Sequence, residues 1–243
     1  MLLAVDIGNS AIKFGLFERE TLTSKFSIPT KRDATADEIK LAVGDRLSPD
    51  IESAIVCSVV PEIDATMRSF LREAAGSDAV FVNNSFDFGL NINYEPLDSL
   101  GTDRLVAAYA ACEKYGAPCI VCSLGTATTI DAVGADRDFL GGVIAPGLEA
   151  MAEALHLKAP RLPKIETERP DRLIGTSTTQ SIRSGVFNGY VAMVEGLIER
   201  MRSEVSGTPT VVATGGNAGL LSSVTVDENL ILNGLRNLGD LRD

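Results

Sequence analysis

Two stretches of the sequence decide the fold: VDIGNSAIKFG at residues 5–15 and CSLGTATTIDA at residues 122–132. Each is an apolar run, a turn of small and hydroxyl-bearing residues, and a second run, which predicts two strands joined by a tight turn. Aligned on Gly8 and Gly125, the stretches are offset by 117 residues, close to half of the 243-residue chain. This period is too long for a solenoid, so we interpret it as a duplicated domain, with chance resemblance as the alternative.

The remaining sequence alternates strand and helix patterns. SAIVCSVVP at residues 53–61 and AVFVN at residues 79–83 read as strands, and TVVATGGNAGLL at residues 210–221 reads as strand, Gly-Gly and helix. The spacing of apolar residues predicts helices over residues 33–47, 63–76 and 105–116, and a long helix follows the Ser/Thr-rich segment at residues 176–179. Alternating strands and helices predict an α/β fold.

Composition narrows the class of protein. The formal net charge is −11, so a broad nucleic-acid-binding face is not expected, although a small anion in a pocket is compatible with this charge. No segment reaches the ~20 apolar residues of a membrane span, and the first residues lack the pattern of a signal peptide. We therefore expect a cytoplasmic protein with neither nucleic acid nor membrane as a partner.

The four cysteines include a CxxC pair, Cys119 and Cys122, which raises the question of a redox or zinc site. The pair lies in an apolar run that reads as a buried strand, where residues three apart point to opposite faces. We therefore favour reduced core cysteines over a functional pair. The only histidine, His156, is interpreted as a helix-end or surface residue.

The two predicted turns suit an anion. A turn of small residues lets backbone N–H groups approach a phosphate, so two facing turns could clamp a polyphosphate. Lys13 could neutralise one phosphate, and Asp6 could hold a hydrated Mg²⁺. The chain has no GxxxxGK[ST] motif, so it is not a P-loop protein. The alternative is that these are merely tight turns.

The stretch GTDR at residues 101–104 precedes a predicted buried helix. Asp103 could simply cap that helix, with a solvated Arg104 beside it. It could also accept a proton from a substrate hydroxyl that attacks a γ-phosphate, while Arg104 binds an acidic group of the substrate.

Taken together, several stretches resemble one family along essentially the whole chain: the type III pantothenate kinases of the acetate kinase, sugar kinase, Hsp70 and actin superfamily. The order of the matching stretches carries the resemblance more than any single one. They are DIGNSAIK, SVVP, NYEPLDSLGTDR, GTATTID, GGVIAPG, IGTSTTQSIRSGV and ATGGNAGLL.

The resemblance implies two actin-like (ribonuclease H-like) domains, at residues 1–112 and 113–243, each a mixed sheet flanked by helices. It also implies a kinase that transfers phosphate from ATP to pantothenate in coenzyme A synthesis, with Asp103 as general base. The residues implied at the ATP phosphates are Asp6, Ile7, Gly8, Asn9, Ser10, Ala11, Ile12, Lys13 and Thr126. The residues implied at pantothenate are Tyr94, Gly101, Thr102, Asp103, Arg104 and Thr178.

The family also implies Mg²⁺ at Asp6, a homodimer whose substrate pocket lies at the subunit contact, and a monovalent cation, usually potassium or ammonium. Ser123 stands where family members commonly carry the aspartate that binds this cation, and a hydroxyl is a weaker ligand. Two alternatives to a pantothenate kinase stay open: a regulatory homologue without turnover, and a superfamily kinase for another hydroxylated small molecule, such as a sugar.

Overall fold

The computed structural model of the chain describes residues 1–240. These residues form two compact units, each built around one β-sheet. The strands are β1 (Leu2–Ile7), β2 (Ala11–Glu18), β3 (Thr21–Pro29), β4 (Ser53–Ser58), β5 (Val80–Phe81), β6 (Asn91–Ile92), β7 (Cys119–Leu124), β8 (Ala127–Val133), β9 (Asp138–Pro146), β10 (Thr210–Thr214) and β11 (Thr225–Val226).

The α-helices are α1 (Ala36–Val43), α2 (Pro61–Ala75), α3 (Thr102–Tyr115), α4 (Leu148–Lys158), α5 (Thr178–Glu204) and α6 (Leu230–Asp240). Local chemistry fixes several of their ends. Pro61 occupies the first position of α2, where its missing N–H costs nothing, and Gly76 ends that helix with a φ of 66°. Ser177 caps α5 by accepting a hydrogen bond from the Gln180 N–H.

The first unit comprises residues 1–90, residues 94–113 and the described chain from Asn229. Its sheet has the order β3-β2-β1-β4-β5, with β3, β2 and β1 antiparallel and with β1, β4 and β5 parallel. Leu3 and Val5 point into a core shared with α1 and α2. Side chains alternate along a strand, so Asp6 points to the opposite face, which α6 covers.

The second unit comprises residues 91–93 and 114–228. Its sheet has the order β11-β10-β7-β8-β9-β6, with β7, β8 and β9 antiparallel and with β7, β10 and β11 parallel. Cys122 and Ile130 point into a core that α4 and α5 complete through Leu148, Val186 and Tyr190.

The two sheets repeat one topology. Strands β3-β2-β1-β4-β5 correspond in order and direction to β9-β8-β7-β10-β11, and the second sheet adds only β6 at its edge. The predicted duplication and the α/β class with two mixed sheets flanked by helices are confirmed. The offset of 117 residues also relates the ends of the third strands, Pro29 and Pro146.

The C-terminal helix returns to the first unit. α6 packs against β1 and β4, and Gly234 lies so close to α3 that a Cβ there would be 2.8 Å from the Ala110 Cβ. The predicted domain bounds, 1–112 and 113–243, stay a prediction, and residues 241–243 lie outside the described residues. The compact units differ from those bounds by assigning α6 to the first unit.

Two elements differ from the sequence-based expectation. AVFVN contributes only the two-residue strand β5, because it pairs with β4 alone at the edge of its sheet. The Gly-Gly segment after β10 leads to a 3-10 turn at Ala218–Leu220 and not to an α-helix, since Gly215 has a φ of 93° and the chain is extended again at Leu221. Among residues 1–240, no helix is long and apolar enough to cross a membrane.

Candidate active site

The turn between β1 and β2 is held from behind by Thr30. The Thr30 hydroxyl donates to the Gly8 carbonyl at 2.6 Å, and the Thr30 N–H donates to the Ser10 carbonyl at 3.1 Å. The Gly8 N–H closes the turn on the Ala11 carbonyl at 3.1 Å. With these carbonyls engaged within the protein, the turn can present N–H groups to an anion.

Asp6 and Lys13 form a cross-strand pair beside this turn, with Lys13 Nζ 3.4 Å from Asp6 Oδ2. Asp6 is 7% exposed, and burial raises the pKa of its carboxyl from the usual 3.8, against the opposing charge and hydrogen bond of Lys13. A desolvated carboxylate with one cationic neighbour favours a further cation, so Asp6 fits the ligand role predicted for it.

The two isoleucines of this stretch have a structural role. Ile7 and Ile12 are paired across β1 and β2 and are buried. Their side chains therefore belong to the core, and only their main chain is available to a ligand. The exposed side chains of the turn are those of Asn9 and Ser10.

Arg32 ties the turn to the start of α2. One guanidinium nitrogen donates to Asn9 Oδ1 at 2.9 Å, and another pairs with the Glu62 carboxylate at 2.5 Å. All three side chains are exposed, so the pair adds little to stability by itself. Its effect is to orient the Asn9 side chain within the turn.

Asp103 lies in the first turn of α3. Its Oδ1 accepts a hydrogen bond from the adjacent Arg104 N–H at 2.9 Å, and since Asp103 is the second residue of the helix this is not an N-cap bond. A Cβ at Gly101 would lie 2.5 Å from Asp103 Oδ1, the end of a side chain that can turn away, so glycine leaves room for this orientation of the carboxylate without fixing it.

Asp6 and Asp103 lie near the same buried thiol. Burial raises the pKa of Cys57 well above its usual value, and the charges of Asp6, Asp103 and Asp64 raise it further. Cys57 is the parallel partner of Asp6 on β4. The charges of the predicted metal-binding acid and the predicted general base, both in the first unit, thus act on the same buried thiol.

Arg104 is buried to 4% exposure, with its guanidinium carbon 5.6 Å from the centre of the Tyr94 ring. A guanidinium over an aromatic face is a favourable cation–π arrangement. Both residues belong to the first unit, so Tyr94 and the Gly101–Arg104 segment form one predicted substrate-side group.

A cavity of about 640 Å³ lies beside this group, within the usual size range of small-molecule pockets. Ser58, Pro61, Leu97, Leu100 and Thr102 contribute to its lining. Asn84 also lines it and makes three hydrogen bonds to the segment that leads into α3.

In the second unit, the turn between β7 and β8 holds Gly125 and Thr126. The Gly125 N–H donates to the Ala127 carbonyl at 3.1 Å, and the Gly147 N–H donates to the Thr126 carbonyl at 3.1 Å. Gly147 takes the place that Thr30 has in the first unit. A Cβ on Gly147 would lie 2.1 Å from the Gly125 oxygen, so no side chain fits there.

Ser123 and Thr129 occupy the cross-strand position that Asp6 and Lys13 occupy in the first unit. They are directly opposed in the ladder, so their side chains share one face. Thr129 Oγ1 is buried without a hydrogen-bond partner. This pair can offer neutral oxygens to a cation but no charge.

Thr178 is the first residue of α5 and lines a cavity of about 900 Å³ in the second unit. Leu155, Leu162 and Ile182 give this cavity an apolar wall. Exposed leucine and isoleucine side chains flank it: Leu157, Leu173 and Ile174 are 66–78% exposed.

The predicted site residues therefore divide between the units. The first unit holds residues Asp6–Lys13, Tyr94 and Gly101–Arg104, and the second holds Ser123, Thr126 and Thr178. Sequence reasoning missed Thr30, Arg32 and Asn84. Thr30 could have been found from the 117-residue offset, because the offset aligns Pro29–Thr30 with Pro146–Gly147.

The cysteines and the histidine lie where the sequence predicts them. All four cysteines are free and buried, as expected for core residues. His156 lies in the last turn of α4, where its Nδ1 is 3.0 Å from the Leu162 carbonyl oxygen, which confirms a helix-end histidine. Within residues 1–240, no cluster of three or more His, Cys, Asp or Glu side chains could hold a metal ion.

The family model and the similar proteins of known name point to the same family. The family model of the type III pantothenate kinases matches residues 2–200. A type III pantothenate kinase of Solibacter usitatus is 38% identical over 97% of this chain and 95% of its own length. One of Brevibacillus brevis is 39% identical over 97% of both chains.

Solved structures support the fold. A Baf family protein from Campylobacter jejuni superposes with a TM-score of 0.62 at 19% identity, over 99% of this chain and 98% of its own. A ROK family glucokinase from Streptomyces griseus, solved with glucose and AMPPNP, superposes with a TM-score of 0.54 at 14% identity, over 99% and 98%.

Proposed function

The chain belongs to the type III pantothenate kinase family, and from that premise we propose that it phosphorylates pantothenate with ATP, the first step of coenzyme A synthesis. Beside the family match, the observation that carries the proposal is the Asp6–Lys13 pair next to the first turn, in the same unit as Asp103 in the first turn of α3. These are the charged groups that phosphate transfer to an alcohol needs. A regulatory homologue without turnover would have no use for all three.

In the proposed reaction, Asp103 accepts the proton of the primary hydroxyl of pantothenate as that oxygen attacks the terminal phosphorus of ATP. A new O–P bond forms, the bond from that phosphorus to the bridging oxygen of ADP breaks, and ADP leaves. Gly101 permits the required placement of the Asp103 carboxylate. General-base assistance of this kind contributes typically 10²–10⁴-fold in rate.

The turn at Gly8–Ser10 would bind phosphate oxygens through main-chain N–H groups, and Lys13 would contribute positive charge. Thr126 would contribute a hydroxyl and main-chain contacts from the second hairpin. Asp6 fits a role as a ligand of hydrated Mg²⁺, which would neutralise phosphate charge during transfer. A bound cation would offset the burial that raises the pKa of the Asp6 carboxyl, which supports this assignment.

On the acceptor side, Arg104 would pair with the carboxylate of pantothenate, a bidentate arrangement for which a guanidinium is suited. Tyr94 stacks on Arg104 and would hold the guanidinium in place. Thr102, at the start of α3, and Thr178, at the start of α5, would supply hydroxyls to the polar groups of the substrate.

Dependence on potassium or ammonium is proposed to be weak. Ser123 and Thr129 supply neutral oxygen ligands, and the orphaned Thr129 Oγ1 would accept a cation as a partner. Without a carboxylate at position 123, the attraction for a monovalent ion is reduced, since hydroxyl oxygens carry no formal charge.

We also propose a homodimer in the cytoplasm. The exposed apolar side chains of Leu157, Leu173 and Ile174 flank the cavity that contains Thr178, and such patches mark association surfaces. Four free cysteines suit a reducing compartment. Analytical ultracentrifugation measures the proposed dimer directly.

The test is a coupled assay of ADP release from MgATP with pantothenate, with and without potassium or ammonium. We expect turnover, and we expect Asp103→Asn to lower kcat by roughly 10²–10⁴-fold. The substitution keeps shape and removes the basic carboxylate. Unchanged thermal unfolding would show that the loss is chemical.

The same assay separates the alternatives. Absence of turnover under every ionic condition would favour the regulatory homologue. Turnover with a sugar or another alcohol and none with pantothenate would favour a different superfamily kinase. An Asp103→Asn protein as fast as the unsubstituted enzyme would refute the assignment of the general base.

A further inference from the structure

Asn84 links the end of β5 to the segment that leads into α3. Its side-chain amide donates to the carbonyls of Leu97 and Leu100, each at 2.8 Å, and its Oδ1 accepts from the Thr102 hydroxyl at 2.8 Å. Both amide hydrogens and one oxygen lone pair are therefore in use.

The two carbonyls held by Asn84 frame a single 3-10 turn at Leu97–Ser99. The Leu100 N–H closes this turn on the Leu97 carbonyl at 3.1 Å, and the buried Leu100 side chain anchors its end. Gly101 follows, and α3 begins at Thr102. Asn84 thus holds the main chain immediately before Gly101 and the side chain immediately after it.

This arrangement leaves little room for Asp103 to move. Asp103 Oδ1 accepts a hydrogen bond from the Arg104 N–H, which also donates to the Gly101 carbonyl at 3.1 Å, so the carboxylate is tied to the segment that Asn84 holds. A group in the substrate pocket that is displaced by about 1 Å can lose 10²-fold in rate. The position of the base is therefore sensitive to the Asn84 hydrogen bonds.

We propose that Asn84 is a positioning residue for the phosphate acceptor: it sets Gly101 and Asp103 for the pantothenate hydroxyl without taking part in proton transfer. The proposal rests on the proposed function and extends it to a residue outside the predicted site. The nucleotide side is not involved, since all three Asn84 bonds go to the segment before and at the start of α3.

The decisive variant is Asn84→Asp, which keeps the shape and the acceptor for Thr102 but replaces two donors with an oxygen that repels the Leu97 and Leu100 carbonyls. We expect kcat/KM for pantothenate to fall roughly 10–100-fold, with KM for ATP unchanged. In the free protein, we expect faster amide hydrogen exchange over residues 97–104.

A matched control is Asn188→Asp in α5. The half-buried Asn188 also makes two donor hydrogen bonds through its amide, to the carbonyl and hydroxyl oxygens of Ser184, each at 3.0 Å. Its replacement removes the same donors and adds the same charge in the second unit. We expect a lower unfolding temperature and an unchanged kcat/KM for pantothenate.

If Asn84→Asp does not fold, Asn84→Ala removes the same three hydrogen bonds without adding a charge and is expected to act in the same direction. Equal loss of kcat/KM for ATP and pantothenate, or unchanged exchange over residues 97–104, would overturn the proposal. Exchange needs no turnover, so unchanged exchange would refute the hold of Asn84 on this segment independently of activity. Failure of the unsubstituted protein to phosphorylate pantothenate would instead refute the proposed function, and faster exchange in Asn84→Asp would distinguish the two failures.

Discussion

The two hairpins share a main-chain plan and differ in chemistry. In both, the third strand ends at a proline, and the N–H of the next residue, Thr30 or Gly147, donates to a carbonyl of the turn at 3.1 Å. The first turn is one residue longer: Ile7 pairs with Ile12, whereas Leu124 pairs with Thr128.

The side chains differ at equivalent places. Asp6 and Lys13 bring opposite charges to the first hairpin, and Ser123 and Thr129 bring only hydroxyls to the second. Thr30 adds a side-chain hydrogen bond behind the first turn, while Gly147 leaves no space for one. Duplication has thus kept the hydrogen-bonded frame, and the first copy carries an opposed pair of charges at the position where the second carries two hydroxyls.

The comparison is tested most severely by Asp6→Asn, which removes the acid of the first hairpin and leaves the Lys13 charge uncompensated by it. We expect turnover with MgATP to fall roughly 100-fold or more, because a preorganised charge at the phosphates is lost. Steady-state kinetics over a magnesium series measures this. Ser123→Ala in the second hairpin is the control and should change turnover little; comparable losses in both would erase the distinction.

The same substitution predicts a pH effect on stability. Burial raises the pKa of Asp6, so between its usual value of 3.8 and the raised value the folded state holds more protons than the unfolded state. Stability from this group is therefore present at low pH and declines as pH rises through that window. Asp6→Asn should remove this decline in the free energy of unfolding. Urea unfolding of both proteins from pH 3 to pH 7 measures it, and an equal decline in the variant would contradict the prediction.

Gly147→Ala tests whether the second turn depends on the missing side chain. The added Cβ would meet the Gly125 and Thr126 oxygens at 2.1 and 2.6 Å, and both are main-chain atoms that must shift. We expect a loss of about 1–3 kcal/mol in unfolding free energy and a KM for ATP raised about tenfold.

Its control is Gly196→Ala, an exposed position in α5 where an added Cβ meets nothing within 4 Å. Because alanine is the better helix former, this variant should gain about 0.5–1 kcal/mol with unchanged kinetics. Chemical unfolding and ATP saturation curves are the two measurements. A Gly147→Ala protein that matched Gly196→Ala would show that the close approach is dispensable.

Thr30→Val removes the side-chain bond that distinguishes the first turn and keeps the main-chain one. We expect KM for ATP to rise roughly three- to tenfold, with KM for pantothenate unchanged. Thr30→Ser should restore it. Thr23→Val is the matched control: Thr23 lies in β3, the strand that Thr30 follows, and its hydroxyl donates to the Leu16 carbonyl of β2 at 3.1 Å. An equal effect there would speak against a specific role.

Ser123→Asp has the smallest expected effect, and it makes the second hairpin more like the first. We expect potassium or ammonium to stimulate the variant more than the unsubstituted enzyme, by a few-fold, because a carboxylate adds charge at a position that now has only hydroxyls. Activity titrations with each chloride salt measure this. An identical response in both proteins would place the cation elsewhere.

The elements that follow from local patterns were predictable. The spacing of apolar residues, together with residues that have strong turn or cap preferences, predicts both hairpins, the capped α5 and the helix between Pro61 and Gly76. The family motifs likewise give the predicted roles of Asp6 and Asp103. These features depend on residues close together in sequence.

Features that depend on distant partners were not predictable. Asn84 and Thr30 read as ordinary polar loop residues until the fold brings them to carbonyls 13–22 residues away. The apolar face of α6 indicates that this helix packs against the protein, but it does not indicate that the partners are β1 and β4. The Gly-Gly segment after β10 reads as a helix start, yet the positive φ of Gly215 lets a tight turn replace the helix.

The return of α6 to the first unit has a consequence for biosynthesis. A ribosome makes β1 before the second unit, but α6, which covers one face of β1 and whose Gly234 and Gly239 lie near Ala110 and Leu2, is made after the second unit. The half of the protein that carries the proposed base and metal ligand therefore stays incomplete during translation, and its final assembly waits for the second unit to be synthesised.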